Sequence, residues 1–463
     1  MGPEMIPAQP FPAIQAARKS LAGCRSVVVS GRVLEIVGIL AEAEGFTAPV
    51  GSLCAVGPER KRAEVVGFRG PRLLLMALED LDGISHGDEV RLVTVRQGLR
   101  VGPGLLGRVV DAMGRPLDGG GEIPAEGWVP LHREPPGPLE RRRITEPLAT
   151  GVRSIDALLT LGRGQRMGVF SGSGVGKSVL MGMICRNTEA PLNVVALIGE
   201  RGREVREFVE RDLGPEGLAR SVVVVATGEQ SPVLRVRAAL AATAIAEYFR
   251  DLGRDVFLMM DSITRIAYAQ REIGLSAGEP PATKGYPPSV HTLLPRILER
   301  AGTGRAGSIT GLYTVLVEAD DVNEPVADAA RSILDGHVWL SRRLANRGHY
   351  PAVDPLESVS RVMPDVVAPA HLEAAMEARG LLAAYQENED LINLGAYVRG
   401  ANPRVDRALA LIEAFRSFLI QGMRERSSLD EAVSGLNAVL ATPVPAPALV
   451  VREARTRSAG AKP

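Results

Sequence analysis

The run Ser171-Gly172-Ser173-Gly174-Val175-Gly176-Lys177-Ser178 constrains the fold more than any other part of the chain. An apolar segment ending at Phe170 precedes it and the apolar stretch Val179 to Cys185 follows, which reads as strand, glycine-rich turn, helix. Glycines let the backbone turn so tightly that successive N–H groups point at one spot, and the helix N-terminus beyond them adds the positive end of a dipole. Such a turn is a cradle for phosphate. Lys177 brings a positive charge suited to β and γ phosphates, and the Ser178 hydroxyl suits Mg²⁺. Ser171 stands where the general pattern has its first glycine. Because Gly172 and Gly174 follow at once, the loop geometry is expected to survive.

Between about 145 and 365 the pattern of strand, turn and helix repeats, with β-rich runs at Gln165 to Phe170, Asn193 to Ile198, Val222 to Ala226, Val256 to Met260 and Ser308 to Val317. That alternation predicts an α/β fold, a parallel sheet with helices on both faces and ligands beyond the carboxyl ends of its strands. Two of these ends carry chemistry. Val256 to Asp261 is an apolar strand closed by a carboxylate. An aspartate there is more often a cap or turn residue, and the upstream phosphate loop reverses those odds in favour of a metal-orienting group. Ser262 and Thr264 read equally well as local caps. Leu197 to Glu204 sets two carboxylates and two guanidinium groups after another apolar strand. Glu200 is the candidate to orient and polarise an attacking water, and Glu204 a candidate outer Mg²⁺ group; the bland alternative is a solvated helix start with Glu and Arg paired.

Before this region, short runs at Arg25 to Val29, Val33 to Ile39, Arg62 to Phe68, Arg72 to Ala77 and Glu89 to Val95, punctuated by Gly and Pro, predict a small closed β-barrel. Gly102 to Pro138 is Gly/Pro-rich and reads as ordered loop or linker. After 366, helical periodicity at His371 to Gln386 and Val405 to Gly422 predicts a helical domain. The expected division is 1–23 as an N-terminal segment with a short helix at 11–22, 24–96 as barrel, 97–365 as nucleotide-binding domain, 366–440 as helical domain and 441–463 as a fraying tail. Lys plus Arg equals Asp plus Glu at 54 each and aromatics are 4%, so neither a basic groove nor stacking aromatics argue for nucleic acid. Cys24, Cys54 and Cys185 match no zinc or disulfide spacing and read as buried thiols in a reducing compartment. Neither a signal peptide nor an 18-residue apolar span is evident, so the expectation is a cytoplasmic protein with peripheral membrane association at most.

Together the phosphate loop, Gly199-Glu200-Arg201, Asp261-Ser262-Ile263-Thr264-Arg265 and Tyr350-Pro351-Ala352-Val353-Asp354-Pro355 resemble the catalytic subunits of rotary ATPases. Gly278 to Ser289 and Asp335-Gly336-His337 with Leu340-Ser341-Arg342-Arg343 are similar to the flagellum-specific type III export branch of that superfamily. Gly400-Ala401-Asn402-Pro403-Arg404-Val405-Asp406 looks more flagellar than injectisome-like. The resemblance spans nearly the whole chain and implies a RecA-like P-loop core between the barrel and the helical domain, with ATP and Mg²⁺. It implies that Glu200 activates water, that Lys177 and Ser178 hold phosphate and Mg²⁺, and that Asp261 orients the metal's water shell. Arg201 and Arg265 would lie near the γ-phosphate, Tyr350 would stack on adenine, and Arg361 would reach a neighbouring subunit's nucleotide.

By the same resemblance the assembly is a homohexamer that powers protein export at the inner-membrane export gate. Its partners would be a stator-like dimer at the N-terminus, a coiled-coil central stalk touching Asp320-Asp321-Val322-Asn323-Glu324, and export substrates with their chaperones. Other readings are an injectisome ATPase, a rotary synthase or pump subunit, a non-catalytic ring subunit and an RNA-translocating ring. Glu200 speaks against the non-catalytic subunit, the Pro280 to Pro288 loop against the synthase, and the charge balance against the RNA motor.

Overall fold

The computed structural model describes residues 28–95, 97–317 and 324–443; the expected helix at 11–22, Cys24 and the tail from 444 lie outside them. The chain divides at Gln97 and Gly98 into two compact units.

In the first unit, β1 (Ser30–Val37), β2 (Leu40–Glu44), β3 (Leu53–Val56), β4 (Lys61–Arg69), β5 (Arg72–Ala77) and β6 (Glu89–Thr94) close into a barrel in the order β1-β2-β5-β4-β3-β6. Its core of Val33, Ala41, Ala43, Cys54, Val56, Ala63, Val65, Leu75 and Val90 alternates small and branched side chains, which suits a narrow lumen. The run read as Val33 to Ile39 ends at Val37, where Gly38 at φ 59° turns the chain into β2. The sequence reading omits β2 and β3 because Leu-Ala-Glu-Ala-Glu has no β-branched or aromatic residue and the four-residue Leu-Cys-Ala-Val has only Val56, too little to mark a strand. Of the Arg25 to Val29 run, Val28 and Val29 are described and precede β1 as coil.

The second unit opens with β7 (Gly98–Val101), β8 (Val109–Asp111) and β9 (Gly127–Pro130). β7 pairs with β9, so the Gly/Pro-rich passage is not simply loop. Then come β10 (Pro147–Leu148) and β11 (Leu161–Gly162), which pair with each other, and β12 (Arg166–Ser171), β13 (Leu192–Ile198), β14 (Ser221–Ala226), β15 (Asp255–Asp261), β16 (Gly302–Thr303), β17 (Ser308–Leu316), β18 (Gly336–Leu340) and β19 (Val353–Ser360). The main sheet runs β19-β18-β12-β17-β15-β13-β14-β8, with β16 paired to β17 off this path, and is parallel except for β19 and β16. Both faces are covered, which is why its central strands read as unbroken apolar runs. Val194, Ala196 and Ile198 of β13 pack with the helix Pro232–Asp251 on one face. Val195 and Leu197 pack with the helix Lys177–Asn187 on the other.

Three helices, Pro369–Asn393, Pro403–Leu419 and Leu429–Leu440, complete this unit and share the second core through Ala378, Leu381, Leu411, Phe415 and Leu436. Sequence sets their starts. The Asn402 side chain accepts from Arg404 N–H, and Ser428 with Glu431 forms a reciprocal capping box. No described helix is long and apolar enough to cross a membrane.

On the first face, Arg300 donates to both carboxylate oxygens of Glu247 at 2.9 and 2.7 Å and to the Leu131 carbonyl at 2.7 Å. Both side chains are 2% exposed. Removing one partner strands the other charge in an apolar setting, at a typical cost of about 3–5 kcal/mol. Glu247→Ala is therefore expected to lower the melting temperature of this unit sharply, and Glu247→Leu combined with Arg300→Met to recover most of the loss. Equal losses in the single and double variants, measured by calorimetry, would contradict this account.

Candidate active site

The parallel strands β12, β15 and β13 end side by side around β17, and the residues just past their carboxyl ends face one another. Ser171, the last residue of β12, is fully buried and its carbonyl accepts from Val317 N–H at 3.0 Å. Gly172 is also buried, Ser173 and Gly174 are exposed, and Val175 is packed inside at 1% exposure. Gly174 and Gly176 have φ of 78° and 91°, the left-handed region that a side chain resists, so the turn needs glycine at both. Lys177 then opens the helix, with Ser178 exposed and Val179 half-buried on its first turn. At the far end of this helix Arg220 donates to the carbonyls of Cys185, Arg186, Thr188 and Ala190 at 2.8–2.9 Å, closing its C-terminus.

Lys177 Nζ lies 2.5 Å from Asp261 Oδ1 and 3.6 Å from Glu200 Oε1. Burial works against the ammonium, but the Asp261 and Glu200 carboxylates outweigh it and hold the Lys177 pKa above the ordinary lysine value. Asp261, 3% exposed at the end of β15, also accepts from Thr314 Oγ1 of β17 at 2.5 Å. Burial and the neighbouring Asp261 charge, opposed by Lys177, push the Glu200 carboxyl up to about 7. Gly199 at φ 75° turns the chain off β13, and Gly228 N–H donates to the Glu200 carbonyl at 3.0 Å.

Arg265 belongs beside this cluster, since a methyl group added to Gly199 would meet its Cβ and Cγ at 2.8 Å. Its Nε is buried with no hydrogen-bond partner. Of the two candidate caps, Ser262 Oγ accepts from Arg265 N–H at 3.3 Å, and Thr264 Oγ1 accepts from Leu316 N–H at 2.9 Å. Arg201 points away with 88% of its side chain exposed and pairs loosely with Glu204 at 3.9 Å, while Glu204 adds to the upward push on the Glu200 carboxyl. With Arg203–Glu207 and Arg206–Glu210, this is the solvated charge ladder of the bland alternative for Arg201.

Tyr350 is 44% exposed, and a Cβ on Gly176 would meet its ring at 3.3 Å, so the ring leans on the phosphate loop with one side open. Arg361 is elsewhere. It follows β19, whose Ser360 pairs with Gly336 at the amino end of β18, whereas Leu340 of β18 lies level with Ser171. Four residue steps at about 3.3 Å each put roughly 13 Å of strand between those levels. Its guanidinium is exposed, with a 3.5 Å bond to the Leu334 carbonyl and no ion pair among the described residues. Sequence reasoning assigned no role to Arg342, which donates to the Ser173 carbonyl at 3.3 Å and so steadies the loop from β18. It also missed Thr314, a mid-strand threonine with no local signal.

The donor set fits a divalent cation held mainly through nucleotide phosphates. It offers one exposed hydroxyl on Ser178 and one buried carboxylate on Asp261, and no group of three or more His, Cys, Asp or Glu able to hold a metal by itself occurs among the described residues.

A phosphate loop beyond the carboxyl end of a doubly covered parallel sheet, with a lysine between two carboxylates, defines a P-loop nucleotide hydrolase. Residues 151–360 match the nucleotide-binding domain of the ATP synthase alpha/beta family, and residues 367–438 match the C-terminal domain of the type III secretion ATPase EscN. The chain is 52% identical over 416 residues to the flagellum-specific ATP synthase of Bacillus subtilis, covering 88% of this chain and 94% of that protein. It is 50% identical over 415 residues to the type 3 secretion system ATPase of Xanthomonas euvesicatoria, covering 88% and 93%. The assembled ATPase EscN of enteropathogenic E. coli has the same fold, with a TM-score of 0.86 at 44% identity over 89% of this chain and all of that one. The chain belongs to the flagellum-specific type III export ATPases, a branch of the ATP synthase alpha/beta family, and is an ATP-hydrolysing enzyme.

A raised carboxyl pKa is also a statement about stability. Folding holds the Glu200 proton more tightly than the unfolded chain does, so the stability this proton confers is full below the ordinary value of 4.5 and is lost as pH rises through about 7. Glu200→Gln should therefore raise the melting temperature at pH 8, in buffer without nucleotide, with the gain shrinking toward zero at pH 5. A gain independent of pH would show that ionisation of Glu200 is not its source.

Proposed function

We propose that this enzyme is a hexameric motor that hydrolyses ATP to drive export of flagellar proteins through a type III secretion apparatus. The observation that carries the reading is the separation within one subunit: Lys177, Glu200 and Asp261 converge, while Arg361 lies at the other end of the sheet. The loop N–H groups, Lys177 and Ser178 take the phosphates, which replace Asp261 and Glu200 as partners of the ammonium. Tyr350 offers its open ring face to the base. Glu200, released from Lys177, orients a water and accepts its hydrogen bond as the oxygen attacks the γ-phosphorus and the bond to the bridging oxygen of ADP breaks. Arg265, and Arg201 once its exposed side chain swings inward, steady the charge on the γ-phosphate. Ser178, with Asp261 and Glu204 near it, would hold Mg²⁺, and the ion would supply charge neutralisation at the phosphates.

Arg361 completes a neighbour's site, which makes the ring the catalytic unit. The structures of the assembled ATPase EscN, alone and in complex with its central stalk EscO, support an assembled form and a stalk partner here. Of the acidic turn proposed to touch the stalk, Asp320, Asp321, Val322 and Asn323 lie outside the described residues. Glu324 is buried and caps the helix Pro325–Ile333, which gives it a structural role of its own. The remaining expected partners are a stator-like dimer at the N-terminal segment, substrates with chaperones, and the membrane export gate, with the enzyme peripheral at the cytoplasmic face.

Likeness to the Xanthomonas enzyme and to EscN supports the injectisome as the second reading. The deciding experiment measures filament protein in the medium of the parent, a deletion strain, and strains restored with wild type or Lys177→Ala. Loss on deletion, restored by wild type alone, supports flagellar export. Normal secretion in the deletion strain favours the injectisome.

Arg361→Ala is expected to lower turnover by about 10³- to 10⁵-fold while nucleotide binding persists. Mixing it with Lys177→Ala subunits should recover activity, because each supplies what the other lacks. Failure of mixed rings to recover any turnover would remove the role in trans. Glu200→Gln should cost about 10²- to 10⁴-fold in turnover with ATP affinity retained, and a comparable loss of affinity would assign it to binding instead.

A further inference from the structure

The link after the helix Pro403–Leu419 is hydrogen-bonded to Tyr350 and to the end of the helix that Lys177 begins. Its key residue, Gln421, is 4% exposed. Gln421 N–H donates to the Tyr350 carbonyl at 2.9 Å. Its carboxamide uses its oxygen and both its hydrogens: Oε1 accepts from Arg153 N–H at 2.9 Å, and Nε2 donates to the Gly151 carbonyl at 2.8 Å and the Glu425 carbonyl at 3.0 Å. The helix Arg153–Leu158 has no side-chain cap of its own at Val152, so Gln421 supplies a partner for its first N–H.

Arg153 answers from the other side. Its guanidinium donates to the Phe418 carbonyl at 2.9 Å and the Ile420 carbonyl at 2.6 Å and pairs with Glu425. Gly151, φ 78°, packs so closely on Asn187 that an added Cβ would lie 2.3 Å from the Asn187 Cβ. Arg186 donates to the Met423 carbonyl. Asn187 ends the 11-residue helix that Lys177 begins, and Tyr350 leans on Gly176 at its start. One link of the helical region is thus fixed to the last turn of the phosphate-loop helix and to the backbone of the tyrosine at its first.

We propose that Gln421 is a positioning residue for the base subsite: it holds the 420–425 link so that the Tyr350 ring stays against the phosphate loop, and so ties the placement of the C-terminal helices to recognition of the base. The inference rests on the reading of Tyr350 as the platform for the base. Coupling of this kind is reciprocal, so base binding fixes the helical link as strongly as the link favours base binding. Phosphate capture by Lys177 and the loop N–H groups lies outside it.

The test uses the full chain and two probes, ATP and inorganic tripolyphosphate, which offers the loop phosphates without a base. Gln421→Ala is expected to raise KM for ATP about tenfold, within the range usual for coupled sites, with kcat at saturation changed less than about twofold. The inhibition constant of tripolyphosphate against ATP should stay constant. Tyr350→Ala should show the same pattern, and the double variant should be no worse than Tyr350→Ala alone. Gln421→Met, which keeps the side-chain volume, loses the carboxamide hydrogen bonds and adds no charge, should give a shift of the same kind if the alanine variant folds poorly. A parallel rise in the tripolyphosphate constant would assign Gln421 to general stability. Multiplying effects in the double variant, or an unchanged KM in Gln421→Ala, would overturn the coupling. An unchanged KM in Tyr350→Ala would remove the platform reading, and the inference with it.

Discussion

Lys177 sits between Asp261 and Glu200, two carboxylates that in a half-buried cleft would repel each other without it. The sheet makes this triad. Lys177 stands one residue past the turn that leaves β12, Asp261 closes β15, and Glu200 follows Gly199 off β13, so three parallel strands must end at the same level for the groups to meet. Thr314 of the strand between β12 and β15 then fixes which carboxylate oxygen faces the lysine. A buried cluster with so few hydrogen-bond partners is poor at stabilising the fold and well arranged to exchange partners. A bound triphosphate can displace the carboxylates and still keep the ammonium paired, because the phosphates carry the charge that Asp261 and Glu200 supplied. Glu200 is the group most altered by that exchange, since both burial and Asp261 already resist its ionisation.

How much of this could be read from the sequence depended on whether a residue's partners lie near it in the chain. The five central strands were legible because both faces of the sheet are covered and most positions along them are apolar. The phosphate loop was legible because its glycines and lysine act within eight residues. β8 was not, since three residues at a sheet edge inside a Gly/Pro-rich passage carry no periodicity, and its pairing with β14 spans more than a hundred residues. For the same reason Thr314, Arg342 and Gln421 gave no local sign, as their partners Asp261, Ser173 and Gly151 are far away in sequence. Arg201 is the instructive intermediate. Its place in the motif was legible, while its outward pairing with Glu204 was visible only in the structure.

The antiparallel edge strand gives the assembly its logic. Because β19 runs against the rest of the sheet, it enters beside the phosphate loop at Val353 and leaves at the opposite end at Ser360. Tyr350, just before it, therefore meets this subunit's own loop, whereas Arg361, just after it, is carried away from that loop by the full length of the strand. A rigid β-strand cannot bring both to one nucleotide. On the proposed reading the two ends of β19 serve two sites, the base of one nucleotide and the phosphates of the next. A change in strand tilt on binding at Tyr350 would then be felt at Arg361 by the neighbouring subunit. The helical link held by Gln421 enters at the Tyr350 end of this lever, next to the residue through which the C-terminal helices and the nucleotide act on the same strand.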